Sequence, residues 1–306
     1  MASDMRTFIA LLFLSLACIS YAKSEELQLG VRAESTTVIS DDAIVWFSSL
    51  QQVNDYLVER SLTPKKIKVS VAEGIYSGGA VNWTYAHRDT EIFIIAEGKV
   101  RFLGDRNTTW MTIRAAKGEA SNIHVMGFSV EDFKTAISVE GDREDVDAWN
   151  GNNIIKGNRF INIGGSRESI STAVIRFVNS RNNTVSENYF SGMRNEKKCT
   201  LLHAVYLAHY SGNNFIANNS FSDGCGDPVR IRDASNDNII ESNIFRGVGR
   251  VGIVTQWHCN PGEPYACTKR SGPECLSTGN VARLNRYKGS LPLEKNITPH
   301  DKCKNR

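Results

Sequence analysis

Residues 153–160 read Asn153-Ile-Ile-Lys-Gly-Asn158-Arg-Phe160, and the phrase returns as Asn183-Thr-Val-Ser-Glu-Asn188-Tyr-Phe190, Asn214-Phe-Ile-Ala-Asn-Asn219-Ser-Phe221 and Asn238-Ile-Ile-Glu-Ser-Asn243-Ile-Phe245. A looser copy, Asn280-Val-Ala-Arg-Leu-Asn285-Arg-Tyr287, follows. Successive copies begin 30, 31, 24 and 42 residues apart. Self-similarity with variable insertions marks a stack of repeats rather than one globular core. Asn tolerates left-handed backbone and bonds its own turn, so an Asn at fixed positions suits a sharp corner. Stacked on its own copies, it can also pass amide bonds up a ladder. The branched residue two places on, Ile155, Val185, Ile216 or Ile240, and the aromatic seven places on are expected to point inward and stack. Short apolar strands between polar corners, with no helical pattern between them, predict a parallel β-helix. A leucine-rich or propeller array is disfavoured, because no Leu-x-x-Leu-x-Leu register and no Trp-Asp or Gly-His punctuation occurs.

Outside this stretch, residues 1–22 read as a signal peptide. Arg6 precedes an apolar run over 8–19, and Ser20-Tyr21-Ala22 offers small residues for cleavage. The run is too short for a membrane span. A secreted, extracellular chain starting near Lys23 is therefore expected, with no membrane partner after signal removal. The formal charge of +3 is unchanged by removing Asp4 and Arg6. It is compatible with an acidic polysaccharide and too weak and dispersed to indicate nucleic acid.

Of seven cysteines, Cys18 would leave with the signal. Cys199 and Cys225 follow successive copies of the phrase and are expected to pair across neighbouring coils. Cys259, Cys267, Cys275 and Cys303 are expected to tie down C-terminal loops. A metal site with His258 is the rival, but the cysteine spacings lack zinc-ligand form. Asn82, Asn107, Asn182, Asn218 and Asn296 begin Asn-x-Ser/Thr glycosylation signals. Those at Asn182 and Asn218 fall inside the ladder.

Residues 23–44 show no pattern and read as an extended lead-in. The stretch 48–61 carries Leu50, Val53, Leu57 and Val58 on one helical face, with Pro64 ending it. Such a helix can cover the open edge of a β-stack. Residues 67–71 then alternate, Gly74, Gly78 and Gly79 turn, and 92–96 is a buried run. This order, with Gly74-Ile-Tyr76, resembles the N-terminal end of secreted pectate-lyase-like β-helix proteins, and the resemblance covers roughly residues 45–290. It implies an all-β chain, a single-stranded right-handed parallel β-helix with an N-terminal capping helix, followed by a tail over 291–306. A monomer is expected. Asn122-Ile-His-Val-Met-Gly-Phe128 reads as an early coil, and 141–147 as a polar loop. Residues beyond the shortest repeat fall in loops at 161–171, 191–201 and 258–278. Insertions of this kind gather on one face and often build the binding site.

The chemistry is expected on the strand before each Asn corner. Ile175-Arg-Phe-Val-Asn179, Val205-Tyr-Leu-Ala-His209 and Val229-Arg-Ile-Arg-Asp233 align, so alternation sends Ile175, Val205 and Val229 inward and Arg176, Tyr206 and Arg230 outward. Arg232 joins the outward set, His209 and Asp233 end their strands, and His203 precedes one. Neighbouring coils lie about 4.8 Å apart, so Arg176, Tyr206, Arg230, Arg232 and His209 would form one patch.

Such a patch suits a uronate. Arginine forks bind carboxylates bidentately. A lyase must neutralise the carboxylate, remove the C5 proton and protonate the leaving glycosidic oxygen. Arg230 or Arg232 would do the first, and Tyr206 with His209 or His203 would serve as base and acid, with Arg176 and Asp233 binding substrate. The resemblance adds a version with Arg230 as base and Asp223 and Asp227 as calcium ligands. The leading expectation is a secreted polysaccharide lyase. A non-catalytic glycan- or cell-wall-binding β-helix is the alternative. A glycoside hydrolase ranks below both, because Asp223, Asp227 and Asp233 lack the paired aspartates of that version of the fold. A structural reading also stands for each residue: Arg230 and Arg232 pairing with Asp227 and Asp233, His203 in a turn, Tyr206 on a solvent face, and His209 replacing Asn179 at a corner.

Overall fold

The computed structural model describes residues 26–33, 44–114, 120–258 and 274–288. The expected signal peptide, Cys259, Cys267, Cys303 and Asn296 lie outside them. Among the described residues the chain winds through short parallel strands that stack on three faces. Ile123–Met126, Ile154–Lys156, Thr184–Ser186, Phe215–Ala217, Ile239–Glu241 and Val281–Arg283 form the first face. Ser129–Glu131, Arg159–Ile161, Tyr189–Ser191, Ser220–Ser222, Ile244–Arg246 and Arg286–Lys288 form the second. The long strands Lys66–Ser77 and Glu91–Leu103 run across both. The third face runs Val81–Trp83, Thr109–Arg114, Thr135–Glu140, Ala173–Val178, His203–Ala208, Val229–Arg232 and Val254–Trp257.

The recurring phrase does what its chemistry requires. Asn153, Asn183, Asn214, Asn238 and Asn280 form one ladder, each side-chain Nδ2 donating to Oδ1 of the next at 2.8–2.9 Å. Asn158, Asn188, Asn219, Asn243 and Asn285 form a second at 3.0–3.1 Å. From the second copy on, each Oδ1 also accepts the backbone N–H of the Asn one coil earlier, for example Asn153 to Asn183 at 3.1 Å, while Asn153 and Asn158 accept those of Ile123 and Phe128. Buried amides that would otherwise cost free energy are thus paired. The left-handed corner residue is not the ladder Asn, as the sequence suggested, but the residue before it. Asn152, Asn182, Asn213 and Asp237 have φ of 57–59°, and Glu187, Asn218 and Ser242 have 56–58°. The ladder asparagines are thereby free to turn inward.

Inside, Phe160, Phe190, Phe221 and Phe245 stack with centroids 4.7–5.1 Å apart, and Ile155, Val185, Ile216 and Ile240 are fully buried. Offset aromatic stacking adds to the burial of area.

The helix is Leu50–Arg60, with Ser49 as N-cap accepting from Gln52 N–H at 3.3 Å and Ser61 closing it at φ 48°. It contacts the strands Glu26–Val31, Val45–Phe47 and Val81–Trp83. Its buried face differs from the expected one: Val58 is exposed, and Asn54 is buried in its stead. Asn54 Oδ1 accepts the backbone N–H groups of Thr84 and Tyr85 at 2.8 and 3.0 Å, which no apolar residue could satisfy. Within the expected lead-in, Glu26–Val31 is a strand paired in parallel with Lys66–Ser77. Its inward residues Leu27, Leu29 and Val31 carry the alternation overlooked in the sequence. No helix among the described residues is long and apolar enough to cross a membrane.

Candidate functional site

Ile175, Val205 and Val229 are register partners, and so are Arg176, Tyr206 and Arg230, as the sequence alignment predicts. The inward set is fully buried, so the outward side chains stand on a packed base. Arg232 pairs in register with Ala208 and Trp257. Against this face lies a pocket of about 330 Å³ lined by Thr172, Thr200, Leu201, His203, Tyr206, Arg230, Arg232 and Trp257.

One wall comes from the loop at 191–201. The Cys199–Cys225 disulfide, Cα atoms 5.5 Å apart, joins the 3₁₀ turn Cys199–Leu201 to the next coil. Gly226 is needed there, since a Cβ on it would lie 1.9 Å from the Leu202 carbonyl oxygen. That close approach brings Thr200 and Leu201 over the strand.

The next residue, Asp227, is 3% exposed. Its Oδ1 accepts the backbone N–H groups of Arg250, Val251 and Gly252 at 2.7–3.2 Å, and its Oδ2 accepts from Thr255 Oγ1 at 3.1 Å and Arg230 Nη2 at 2.9 Å. Burial works to raise its pKa, but these N–H groups and Arg230 outweigh it and hold the carboxyl below the usual range. Burial lowers the Arg230 pKa, and Asp227 opposes the shift. His203 Nδ1 lies 2.7 Å from the Asp227 carbonyl oxygen, which can only accept, so Nδ1 carries the proton and Nε2 keeps a lone pair. Burial, aided by the Arg230 charge, pushes the His203 pKa down to about 4. The ring is stacked on Tyr206, centroids 5.7 Å apart.

Arg232 is held by Glu274, which takes Nε and Nη2 at 2.7 and 2.6 Å. Its Nη1 donates to Tyr206 Oη at 3.1 Å, and its guanidinium lies 4.3 Å from the Trp257 ring centre. Burial would lower the Arg232 pKa, but the bond to Glu274 and the neighbouring Tyr206 raise it. The Asp227 and Glu274 side chains are each 3% exposed, against 21% for each arginine. The balancing carboxylates are thus tucked behind the guanidiniums.

The expected patch divides. His203, Tyr206, Arg230 and Arg232 meet at the pocket. Arg176 turns the other way, donating to Ser138 Oγ at 3.0 Å and pairing with Glu140, which also takes Arg114. His209 is buried at its corner, φ 52°, with Nδ1 2.8 Å from Asp233 Oδ2. Asp233 also accepts Cys275 N–H at 3.0 Å, and burial, which would raise its pKa, is outweighed by these bonds. Neither His209 nor Asp233 lines the pocket. Arg232 pairs with Glu274 rather than with Asp233, whose carboxylate is taken by His209 and the Cys275 N–H. Asp223 is exposed and bonds Arg194 at 2.6 Å. The expected calcium pair is not an oxygen cage: Asp227 is surrounded by donors that a cation would have to displace. Among the described residues, His209, Asp233 and Glu274 bring possible ligand atoms within 4.8 Å of one another, but those atoms already bond each other, Cys275 or Arg232.

Glu274, Thr172, Thr200 and Leu201 are site residues not singled out in the sequence. For three of them the signal was positional, since Thr200, Leu201 and Glu274 lie in the inserted loops.

Residues 116–262 match the family model described as "Right handed beta helix region". No curated protein matches the chain. Solved structures similar to it include the tailspike protein of E. coli bacteriophage HK620, a double mutant in complex with a pentasaccharide. That one is 13% identical, covers 78% of this chain and 53% of its own, and gives a TM-score of 0.40. A mutant of the PL6 family alginate lyase AlyGC is 13% identical, covers 88% and 52%, and gives 0.34. The chain spans about half the length of these structures. With three faces of parallel strands, two asparagine ladders and the match across 116–262, the fold is that of a right-handed parallel β-helix.

Proposed function

We propose that the third-face pocket binds a uronate-containing polysaccharide and cleaves it by β-elimination. The observation that carries this reading is Tyr206 set between Arg230 and Arg232, whose counter-carboxylates are buried behind them. What faces the pocket is a set of donors, matched to a carboxylate. Arg230 would bind the uronate carboxylate and so acidify C5–H. Neutral His203, with Nε2 unprotonated, is the base in reach of the same space. As it takes the C5 proton, the C4–O bond breaks and the C4=C5 bond forms. Tyr206 then gives its proton to the leaving oxygen, its hydroxyl oriented by the N–H of Arg232. Trp257 and Leu201, both 39% exposed, offer apolar surface for a sugar ring. A leader at residues 1–22 would deliver the activity outside the cell.

Hydrolysis fits less well. It needs a carboxyl that can hold and release a proton beside the bond, whereas Asp227 and Asp233 are held ionised by several donors each and do not line the pocket. A binding module at the same pocket is the second reading, favoured by the low basicity of His203.

The test is ultraviolet absorbance of unsaturated uronate ends on pectate, alginate, glucuronan and glycosaminoglycans, with and without a chelator. Growth on one polymer is the expected result and names the sugar. A flat trace with glycan binding retained would replace the lyase by the binding module.

A further inference from the structure

We propose that Glu274 is a positioning residue for Tyr206, acting through Arg232; this rests on the lyase reading of the pocket. The residue lies in the 42-residue step between Asn238 and Asn280, just ahead of the last described coil. The chain that follows it is fastened to the corner at 233–237. Cys275 N–H donates to Asp233 Oδ1 at 3.0 Å, Ala234 N–H to the Cys275 carbonyl at 3.0 Å, and Ser235 N–H to Ser277 Oγ at 3.0 Å. Thr278 N–H donates to Asn236 Oδ1 at 2.8 Å. The Glu274 carboxylate is therefore delivered by fixed backbone, and its side chain is 3% exposed.

The Glu274 carboxylate meets the guanidinium edge-on. Two parallel N–H···O bonds, at 2.6 and 2.7 Å, fix the plane and the rotation of Arg232. With Nε and Nη2 engaged, Nη1 is the edge left to reach Tyr206 Oη at 3.1 Å. The phenol oxygen then accepts one bond, and its own proton points elsewhere, to the pocket it lines. The same grip holds the guanidinium on Trp257. Without Glu274, Arg232 carries an unbalanced charge beside a carboxylate-binding pocket. It is then free to follow the substrate instead of Tyr206. Glu274 therefore sets which arginine binds substrate: Arg230 takes the carboxylate, and Arg232 keeps the phenol aligned.

Glu274→Gln in the full chain tests this. The amide keeps the shape but loses the charge and one acceptor. On the polymer cleaved by the wild type, kcat is expected to fall about 100-fold, the scale of a misplaced catalytic group, with KM changed less than about threefold. The emission of Trp257, read as the difference between each protein and its Trp257→Phe form, is expected to change. Glu274→Asp, if folded, should leave the charge but break the two-point grip and also lower kcat; it serves as the second variant should the amide not fold. Unchanged kcat, or a rise in KM alone, overturns the proposal, as does unchanged Trp257 emission. If the wild type cleaves no polymer, the lyase reading falls by itself. The Trp257 signal in Glu274→Gln then still decides whether Glu274 holds Arg232.

Discussion

Arg230 and Asp227 close an ion pair at 2.9 Å around the turn that opens the strand Val229–Arg232. Asp227 also accepts three successive backbone N–H groups at 250–252 and, through its carbonyl, the Nδ1–H of His203. One short residue thus sets the direction of Arg230, the tautomer of His203 and the path of the chain into the next coil. That coupling is why the pocket belongs to the stack itself and not to a loop laid upon it.

Asp227→Asn is expected to be costly. The amide can accept with one oxygen only, so donors at 250–252 or on Arg230 lose their partner, and Arg230 is left charged and mostly buried without its counterion. Breaking one side of such a buried pair costs about 3–5 kcal/mol. Urea unfolding would read this as a lowered midpoint, and a loss below about 1 kcal/mol would show that Asp227 is dispensable to the coil.

Tyr206→Phe removes the hydroxyl that Arg232 addresses and keeps the ring stacked on His203. If Tyr206 is the acid, turnover falls about 100- to 10,000-fold, while binding of the polymer changes little. Arg230→Ala should act oppositely on binding and weaken it strongly. Equal turnover in wild type and Tyr206→Phe would remove the phenol from the chemistry.

Much of this was legible because stacking leaves a periodic mark. Asn153 to Asn280 and Phe160 to Phe245 repeat, so the ladders, the inward aromatics and the alignment of Arg176, Tyr206 and Arg230 follow from spacing alone. The Cys199–Cys225 pairing followed likewise from neighbouring copies. Side-chain direction above the sheet has no such mark. Arg176 and Arg230 share a column, yet Glu140 draws one away and Asp227 holds the other at the pocket. His209 read as a surface histidine because Asp233, its partner, is 24 residues distant. Glu274 was illegible because an insertion has no counterpart in other coils, and its contact with Arg232 spans 42 residues. Asn54 was misread for a related reason: helical periodicity counts it as polar, and the N–H groups it satisfies are 30 residues on.

The buried His203 predicts a pH-dependent stability. Its native pKa is about 4, against 6.5 for the free side chain. Between those values the unfolded chain binds more protons, so stability falls as pH drops from 6.5 towards 4. The shift corresponds to about 3 kcal/mol at 1.36 kcal/mol per unit. The contribution is fully present above pH 6.5. Thermal or urea unfolding across this window should show the slope, and His203→Gln, which cannot take up a proton there, should flatten it. The same slope in both proteins would mean that His203 protonates without cost in the fold. Below this window Asp227, with its depressed pKa, takes over and stability falls further with protonation.

The asparagine ladders predict a gradient of mutational cost along the stack. Asn188 Nδ2 donates to the Ile155 carbonyl at 2.8 Å and to Asn219 Oδ1, and its Oδ1 accepts from Asn158 twice, through N–H and Nδ2. Asn188→Ala therefore strands buried groups on both neighbouring coils, at about 1–3 kcal/mol for each group left unpaired. Asn285, in the last described coil, bonds Asn243 and the Ile240 carbonyl on one side and is only part-buried. Water can replace its partners, so Asn285→Ala should cost about 1 kcal/mol or less. Because each coil touches only its neighbours, the central change should also broaden unfolding or split it at the altered coil. Urea melts of the two variants, followed by far-ultraviolet circular dichroism, give the comparison. Equal and small losses at both positions would mean that the stacked aromatics at Phe160, Phe190, Phe221 and Phe245 hold the coils together and that the ladders only set their register.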